Sequence, residues 1–368
     1  MAELKDLIKR ELESKNEKTQ KKDIALKDEI NFRDLDMSEE SSYTPSDSGQ
    51  ISQDKIFNRI ALDPDEVYEE SLQHMRTIVS RIKDGLDFNI DPAFNISEKI
   101  VDSLQSSELT LNEFRNGQKN SSLLLNICSI EQSLDDMAVH LVNVAVLSIE
   151  IGIGLKYEKE NLIKLGVAGL LHDIGMCRVS QEIIKKPGPL DSKEFDKVKR
   201  HPKYGFEILS SLGEEHAWLA KVVFQEHERD NGRGYLEGLK GEDIHEYARI
   251  IGLADVYEAL SHSRPYRDIP HLAMKEIMEK TREGLFSSYI LKALIERLSV
   301  FPLCSLVKLN SGAIGRVIET NKSYPLNPTI DVLFDAQGKK VKERQIVKLS
   351  DVPLLHITEA IGKKDLPE

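Results

Sequence analysis

The sequence predicts a mainly α protein that ends in a small β subdomain. Apolar residues recur at helical spacing through most of residues 56–300. Between 301 and 353 the pattern switches to the alternation of strands. At 368 residues the chain also exceeds what one hydrophobic core usually serves, so several structural units are expected.

Residues 1–55 read as a charged, disordered N-terminal tail. MSEESSYTPSDSGQISQ (37–53) has too little apolar surface to bury. The opening AELKDLIKRELESK places Leu4, Leu7, Ile8 and Leu12 on one face of a charged helix. Residues 56–125 are expected to form a helical input or dimerisation region. In DEVYEESLQHMRTIVSRI, Val67, Leu72, Met75, Ile78, Val79 and Ile82 fall near one face, and ISEKIVDSLQ suggests a second helix. A homodimer through this region is the expectation, resting on that amphipathic pattern alone.

Residues 126–300 form the main helical domain. MAVHLVNVAVLSIEIGIGL, KENLIKLGVAGLLHDIG, KEFDKVKRHPKYGFEIL and HEYARIIGLADVYEALSH each read as a helix by period and length. RDNGRGYLEGLKG (229–241) holds four glycines and reads as a loop. In residues 301–353, SLVKLNSGAIGRVIE reads as strand, turn, strand, and TIDVLFDAQGKK and RQIVKLSD add two more strands. Residues 354–368 are expected to be a tail.

Composition excludes some functions. Lys and Arg total 50 against 62 Asp and Glu, a net charge of −12. Such a chain lacks the basic footprint that duplex nucleic acid requires. A small phosphorylated ligand needs only a few local cations and is not excluded. The three cysteines, Cys128, Cys177 and Cys304, are too few and scattered for a disulfide framework. The N-terminus lacks the apolar core of a signal peptide, and no run approaches a membrane span of about 20 apolar residues. A soluble, cytoplasmic protein is expected.

The candidate chemistry lies between Asp136 and Asp255. His172-Asp173 closes an apolar helix, and the pair could supply an imidazole and a bridging carboxylate to metal ions. Asp136 and His140 stand one helical turn apart and can face one site. His201 opens HPKYG, and Glu226-His227-Glu228 follows an apolar run. Asp255 sits inside an apolar helix, where an aspartate is costly to bury unless it is paired or metal-bound. Alone, each has a bland reading: a helix-end surface pair for His172-Asp173, and an internal cap or ion pair for Asp255.

Taken in order, HLVNVA (140–145), LLHDIG (170–175), KKPGPLD (185–191), HPKYG (201–205), EHERDNGRGY (226–235) and LADVYEALSHSRPYR (253–267) resemble the HD-GYP family of the HD phosphohydrolase superfamily. The resemblance covers about half the chain, and the β segment resembles the tail that often follows such domains. It implies an HD-type helical bundle acting as a cyclic di-GMP phosphodiesterase with two or three divalent metals, iron or manganese. By motif position the ligands are Asp136, His140, His172, Asp173, His201, Glu226, His227 and Asp255, with Asp173 as the bridge. The catalytic candidates are Asp173 and Lys186. Lys186, Gly234, Tyr235, Arg264 and Arg267 are the substrate-binding candidates.

Three residues depart from the family pattern. Glu226 stands where the family has histidine, and a carboxylate can still ligate such metals. Met176 stands where the family has a phosphate-holding lysine. Leu236 replaces the proline of the GYP loop. Met176 and Glu226 keep one rival open, a receptor that binds a cyclic dinucleotide without cutting it; a second, an HD-type hydrolase of another nucleotide or phosphoester, stays open because fold alone does not fix function. Without the resemblance, the residues support a metal-assisted hydrolase and no particular substrate.

Overall fold

The computed structural model describes residues 63–110, 137–186, 188–261, 271–301, 305–321, 324, 326–362 and 365–367. Helix α1 (Pro64–Lys83) starts at Asp63, whose carboxylate accepts from the Asp65 amide, and Pro64 presets the first turn. Arg81 and Lys83 in the last turn suit the negative end of the helix dipole. Its stripe of Val67, Tyr68, Leu72, Met75, Ile78 and Val79 is buried, close to the expected face. Helix α2 (Asp91–Thr110) buries Ala93, Ile96, Ile100, Val101 and Leu104.

Helix α3 (Met137–Gly154) is the central post. It packs against α1, α2, α4 (Lys159–Leu171), α9 (Glu246–Ser261) and α11 (Ser288–Leu298). Because it has neighbours all round, it is apolar on nearly every face rather than amphipathic. Among the described residues it is the single helix with the length and apolarity of a membrane span, contrary to the expectation that no run approaches one. Its apolar window is 83% buried within the fold, as befits a core helix. Glu150 is tolerated inside it by an ion pair with Arg297 of α11, at 2.6 Å.

One continuous core joins α1 and α2 to α3, α4, α9 and the helices around them. The described part of residues 56–125 thus packs into the same core as the main helical domain. The apolar stripe that suggested a dimer interface is spent on packing within the chain. The expected helix KEFDKVKRHPKYGFEIL is two helices, α6 (Ser192–Val198) and α7 (His201–Ser210). Pro202 lacks an amide and crowds the preceding turn, so the first helix must stop before it. The short α5 (Gln181–Ile184) and α8 (Ala217–Gln225) precede α9, and α10 (His271–Arg282) precedes α11.

The C-terminal sheet is antiparallel, with order β4-β3-β2-β1-β5. Its strands are β1 (Leu306–Leu309), β2 (Ile314–Glu319), β3 (Thr329–Phe334), β4 (Lys340–Lys348) and β5 (Ile357–Ile361). Val307, Leu309, Val317, Ile330 and Val332 form its core, and Phe301 packs on both this core and the helical one. Strand β5 lies in the segment expected to be a tail. It pairs with β1 through Val307↔Ala360 and extends the sheet beyond 353. Its sequence, ITEAI, is too short to declare itself by alternation alone.

Candidate metal centre

The two ends of α4 and α7 explain why a local motif can serve a distant site. Helix α4 stops at Leu171, and the chain tightens into a 3-10 turn over Ile174–Arg178. His172 keeps helical geometry while Asp173 leaves it, at φ −101° and ψ 14°. His201 is the first residue of α7, while Glu226 and His227 follow the last turn of α8. His140 comes from the first turn of α3 and Asp255 from the middle of α9.

Three of the four imidazoles are held by their Nδ1 atoms. Nδ1–H of His172 donates to the Gly169 carbonyl at 2.8 Å, and that of His201 to the Val198 carbonyl at 2.8 Å. Nδ1–H of His140 donates to Glu258 at 2.9 Å. Each bond commits Nδ1 and turns Nε2 into the site, where a metal ion would take the place of a proton.

The donors fall into two groups. Asp173, His201, Glu226 and His227 form one, and His140, His172 and Asp255 the other, with donor atoms inside each group within 4.8 Å of one another. Asp173 faces both: Oδ1 lies 2.9 Å from His201 Nε2, and Oδ2 lies 3.8 Å from His140 Nε2. His140 Nε2 is 3.3 Å from Asp255 Oδ1, and His227 Nε2 is 2.8 Å from Glu226 Oε1.

All seven side chains are buried, and some of their atoms have no hydrogen-bond partner among the described residues. His172 Nε2 and Glu226 Oε2 are buried without a hydrogen bond. Leaving a carboxylate oxygen in that condition is costly, and a cation removes the cost. Four imidazoles and the carboxylates of Asp173, Glu226 and Asp255 make a donor set suited to divalent metals with mixed nitrogen and oxygen ligation.

The protonation balance points the same way. Burial opposes ionisation of Asp173, yet His201 beside it holds the carboxyl well below its ordinary value. Glu226 and Asp255 are likewise lowered against burial, by His227 and His201 and by His140 respectively. Burial works against charging His201 and His140. The carboxylates outweigh it, raising His201 to about 10 and, through Glu258 and Asp255, His140 well above the usual range.

The glycine loop is fastened by Glu228, whose role the sequence reading left unassigned. Its buried carboxylate accepts from the amides of Glu237 at 2.6 Å, Gly238 at 3.0 Å and Leu239 at 3.0 Å. The loop thereby lays Tyr235 on His227, with ring centroids 4.6 Å apart and planes 22° apart. Gly234 allows this approach, since a Cβ there would stand 2.4 Å from the Glu228 Cα. Burial and the nearby Glu226 charge push the Tyr235 hydroxyl well above its ordinary pKa.

The remaining expected residues divide. Lys186 pairs with Glu194 at 2.6 Å, in the capping box that Glu194 forms with Asp191. A phosphate would have to draw Lys186 away from that carboxylate. Met176 is buried in a small apolar cluster with Val179, Ile183, Leu190 and Val198. Cys177 gives a long contact to the Val79 carbonyl at 3.8 Å, and burial pushes its thiol up to about 11. It belongs to neither ligand group. Asp136, Arg264 and Arg267 lie outside the described residues, as do Cys128 and Cys304. The sequence reading also passed over Glu258 and Asn143. The available signal was an acidic or amide residue one turn beyond a ligand, inside an apolar helix.

A helical core that brings one histidine, a His-Asp pair and a distant aspartate together defines an HD domain. The family model described as HD domain matches residues 115–286, and that of a KOW domain associated with HD domain matches 306–368. The cyclic di-GMP phosphodiesterase PA4108 of Pseudomonas aeruginosa is 31% identical over 76% of this chain and 67% of its own length. The cyclic di-GMP phosphodiesterase response regulator RpfG of Xanthomonas campestris is 39% identical, over 32% of this chain and 30% of its own. The 3'3'-cGAMP-specific phosphodiesterase 3 of Vibrio cholerae is 37% identical, over 45% of this chain and 36% of its own. The chain belongs to the HD-GYP family of HD-domain proteins, with Leu236 in place of the motif's proline.

Proposed function

We propose that this protein is a metal-dependent phosphodiesterase that hydrolyses cyclic di-GMP to the linear dinucleotide or GMP. The observation that carries the reading is Asp173, one buried carboxylate facing two groups of ligands. His201, Glu226 and His227 would hold one divalent ion, and His140, His172 and Asp255 a second, with Asp173 common to both. Iron or manganese is the expected metal. Bound divalent ions supply Lewis acidity, lowering the pKa of water and neutralising charge on phosphoryl oxygens.

In the reaction a water oxygen bonds to phosphorus, the ribose oxygen departs and that oxygen takes up a proton. The chain's own residues prepare this step. The Nδ1 bonds of His140, His172 and His201 fix each ring before substrate arrives. The ionised state of Asp173, Glu226 and Asp255 keeps the ligand set anionic at neutral pH. Tyr235, stacked on His227, covers one wall of the centre. The substrate class rests on the relatives' activities, and cyclic di-GMP is preferred because PA4108 covers most of this chain.

A second reading is a receptor that binds without hydrolysis. It is favoured by Met176, which fills an apolar cluster where the family pattern places a lysine. One experiment separates the two. Protein purified without oxygen and supplied with iron or manganese is given cyclic di-GMP, 3'3'-cGAMP and cyclic di-AMP, and metal is counted on the same sample. Turnover of cyclic di-GMP with two metals per chain supports the phosphodiesterase. Metal and tight binding without product supports the receptor, and turnover of another dinucleotide alone corrects the substrate.

A further inference from the structure

A chain of buried hydrogen bonds runs from the ligand His140 to a helix outside the matched HD domain. The Tyr68 hydroxyl on α1 donates to Asn143 Oδ1 at 2.7 Å. Asn143 Nδ2 donates to Glu258 Oε1 at 3.3 Å, and His140 Nδ1–H donates to Glu258 Oε2 at 2.9 Å. All four side chains are buried, Tyr68 at 1% exposure and Asn143 at 0%. They come from α1, α3 and α9, while the HD-domain match begins only at residue 115.

The direction of every bond is forced. An ionised glutamate only accepts, so Asn143 must offer its amide NH2 and His140 its Nδ1–H. Asn143 can present that NH2 only if its carbonyl turns the other way, and the Tyr68 hydroxyl is the donor waiting there. With Nδ1–H spent on Glu258, His140 turns its Nε2 toward Asp255 and Asp173. We propose that Tyr68 is a positioning residue for the His140/His172/Asp255 site, acting through Asn143 and Glu258. A helix outside the HD domain thereby sets the orientation of a ligand. Displacing α1 would loosen that ligand without touching it. This inference rests on the metal-binding reading above.

The test uses the full chain, stripped with chelator and titrated with Mn(II) alone, free and bound ion being separated by electron paramagnetic resonance. Glu258→Gln is expected to weaken one class of site by about 10- to 100-fold, the usual cost of losing an outer hydrogen-bond partner of a ligand. Tyr68→Phe keeps the ring and removes only the hydroxyl, and should weaken the same class by a smaller factor. Nitrogen-15 spectra should show the His140 Nδ1–H signal shifted and exchanging faster with water in both variants. Val67→Ala, a packing change on the same helix, should lower Tm and leave affinity unchanged. Wild-type affinity and a wild-type His140 Nδ1–H signal in Tyr68→Phe and Glu258→Gln would overturn the proposal. Failure of the wild-type protein to bind Mn(II) would instead overturn the metal reading and this inference with it.

Discussion

His201 and His227 meet through their Nε2 atoms, 2.9 Å apart, with ring planes 87° from parallel. His201 already spends Nδ1–H on the Val198 carbonyl, so its Nε2 is the nitrogen that faces His227. Two ring nitrogens at that distance need a proton or a cation between them. Glu226 and Asp173 complete the group, which is why a cation is the better occupant.

Glu226→Gln tests this group separately from its neighbour. The amide keeps the shape but removes the charge and half of the donor capacity. Metal counted by mass spectrometry after dialysis is expected to fall from two ions per chain to one. Two tightly held ions in the variant would remove Glu226 from the ligand set.

Asp173→Asn should damage both groups, since the same carboxylate faces both. Turnover of cyclic di-GMP is expected to fall by at least about 100-fold, the scale of losing one strong charge-stabilising group. Wild-type turnover would dismiss the proposed site.

Glu228→Gln should release the glycine loop while sparing the ligands. One carboxylate receives three backbone amides there, so a cost of about 1–3 kcal/mol is expected. Arg233 is exposed in that loop, and trypsin should cut after it faster in the variant. An unchanged cutting rate would show that the carboxylate does not hold the loop.

Gly175→Ala should be poorly tolerated. A Cβ there would stand 2.0 Å from the His201 carbonyl oxygen and 2.5 Å from the Gly205 amide, both backbone atoms. The 3-10 turn and α7 would have to separate, moving Asp173 from His201. A stability loss of about 1–3 kcal/mol with weaker metal binding is expected. A variant with wild-type Tm would show that the two segments part freely.

The metal-free protein should lose stability as pH rises. Folding raises the pKa of His201 to about 10, above the ordinary histidine value of about 6.5. Its contribution is complete below about pH 6.5 and is lost as pH climbs through about 10. Asp173, Glu226 and Asp255 are lowered, so their contribution is present above about pH 4 and fails on acidification. Tm measured with chelator should therefore peak between about pH 4 and 6.5. With Mn(II) the alkaline decline should flatten, because metal replaces those protons. Equal alkaline slopes with and without metal would contradict this.

The sequence by itself predicted α1 to α4 and α9, four of the strands and the candidate ligands. Helical period is a local property, and the chemistry of a histidine or carboxylate belongs to the residue type, so both can be read along the chain. Pro202 was equally legible as a helix breaker, although the pattern around it read as continuous. Tertiary structure alone decided which donors stand within reach of one another. His140 and Glu258 are 118 residues apart, and no periodicity pairs them. The same holds for Asp173 facing two groups, for Glu228 gripping a loop beyond its own turn, and for β5 joining β1. It holds for α1 and α2 as well. Their apolar faces announced a partner, and only packing revealed that the partners are the chain's own helices, α3 for α1 and chiefly α4 for α2. Burial selects among contacts that sequence spacing leaves equivalent, because the cost of an unpaired polar group is paid only inside the fold.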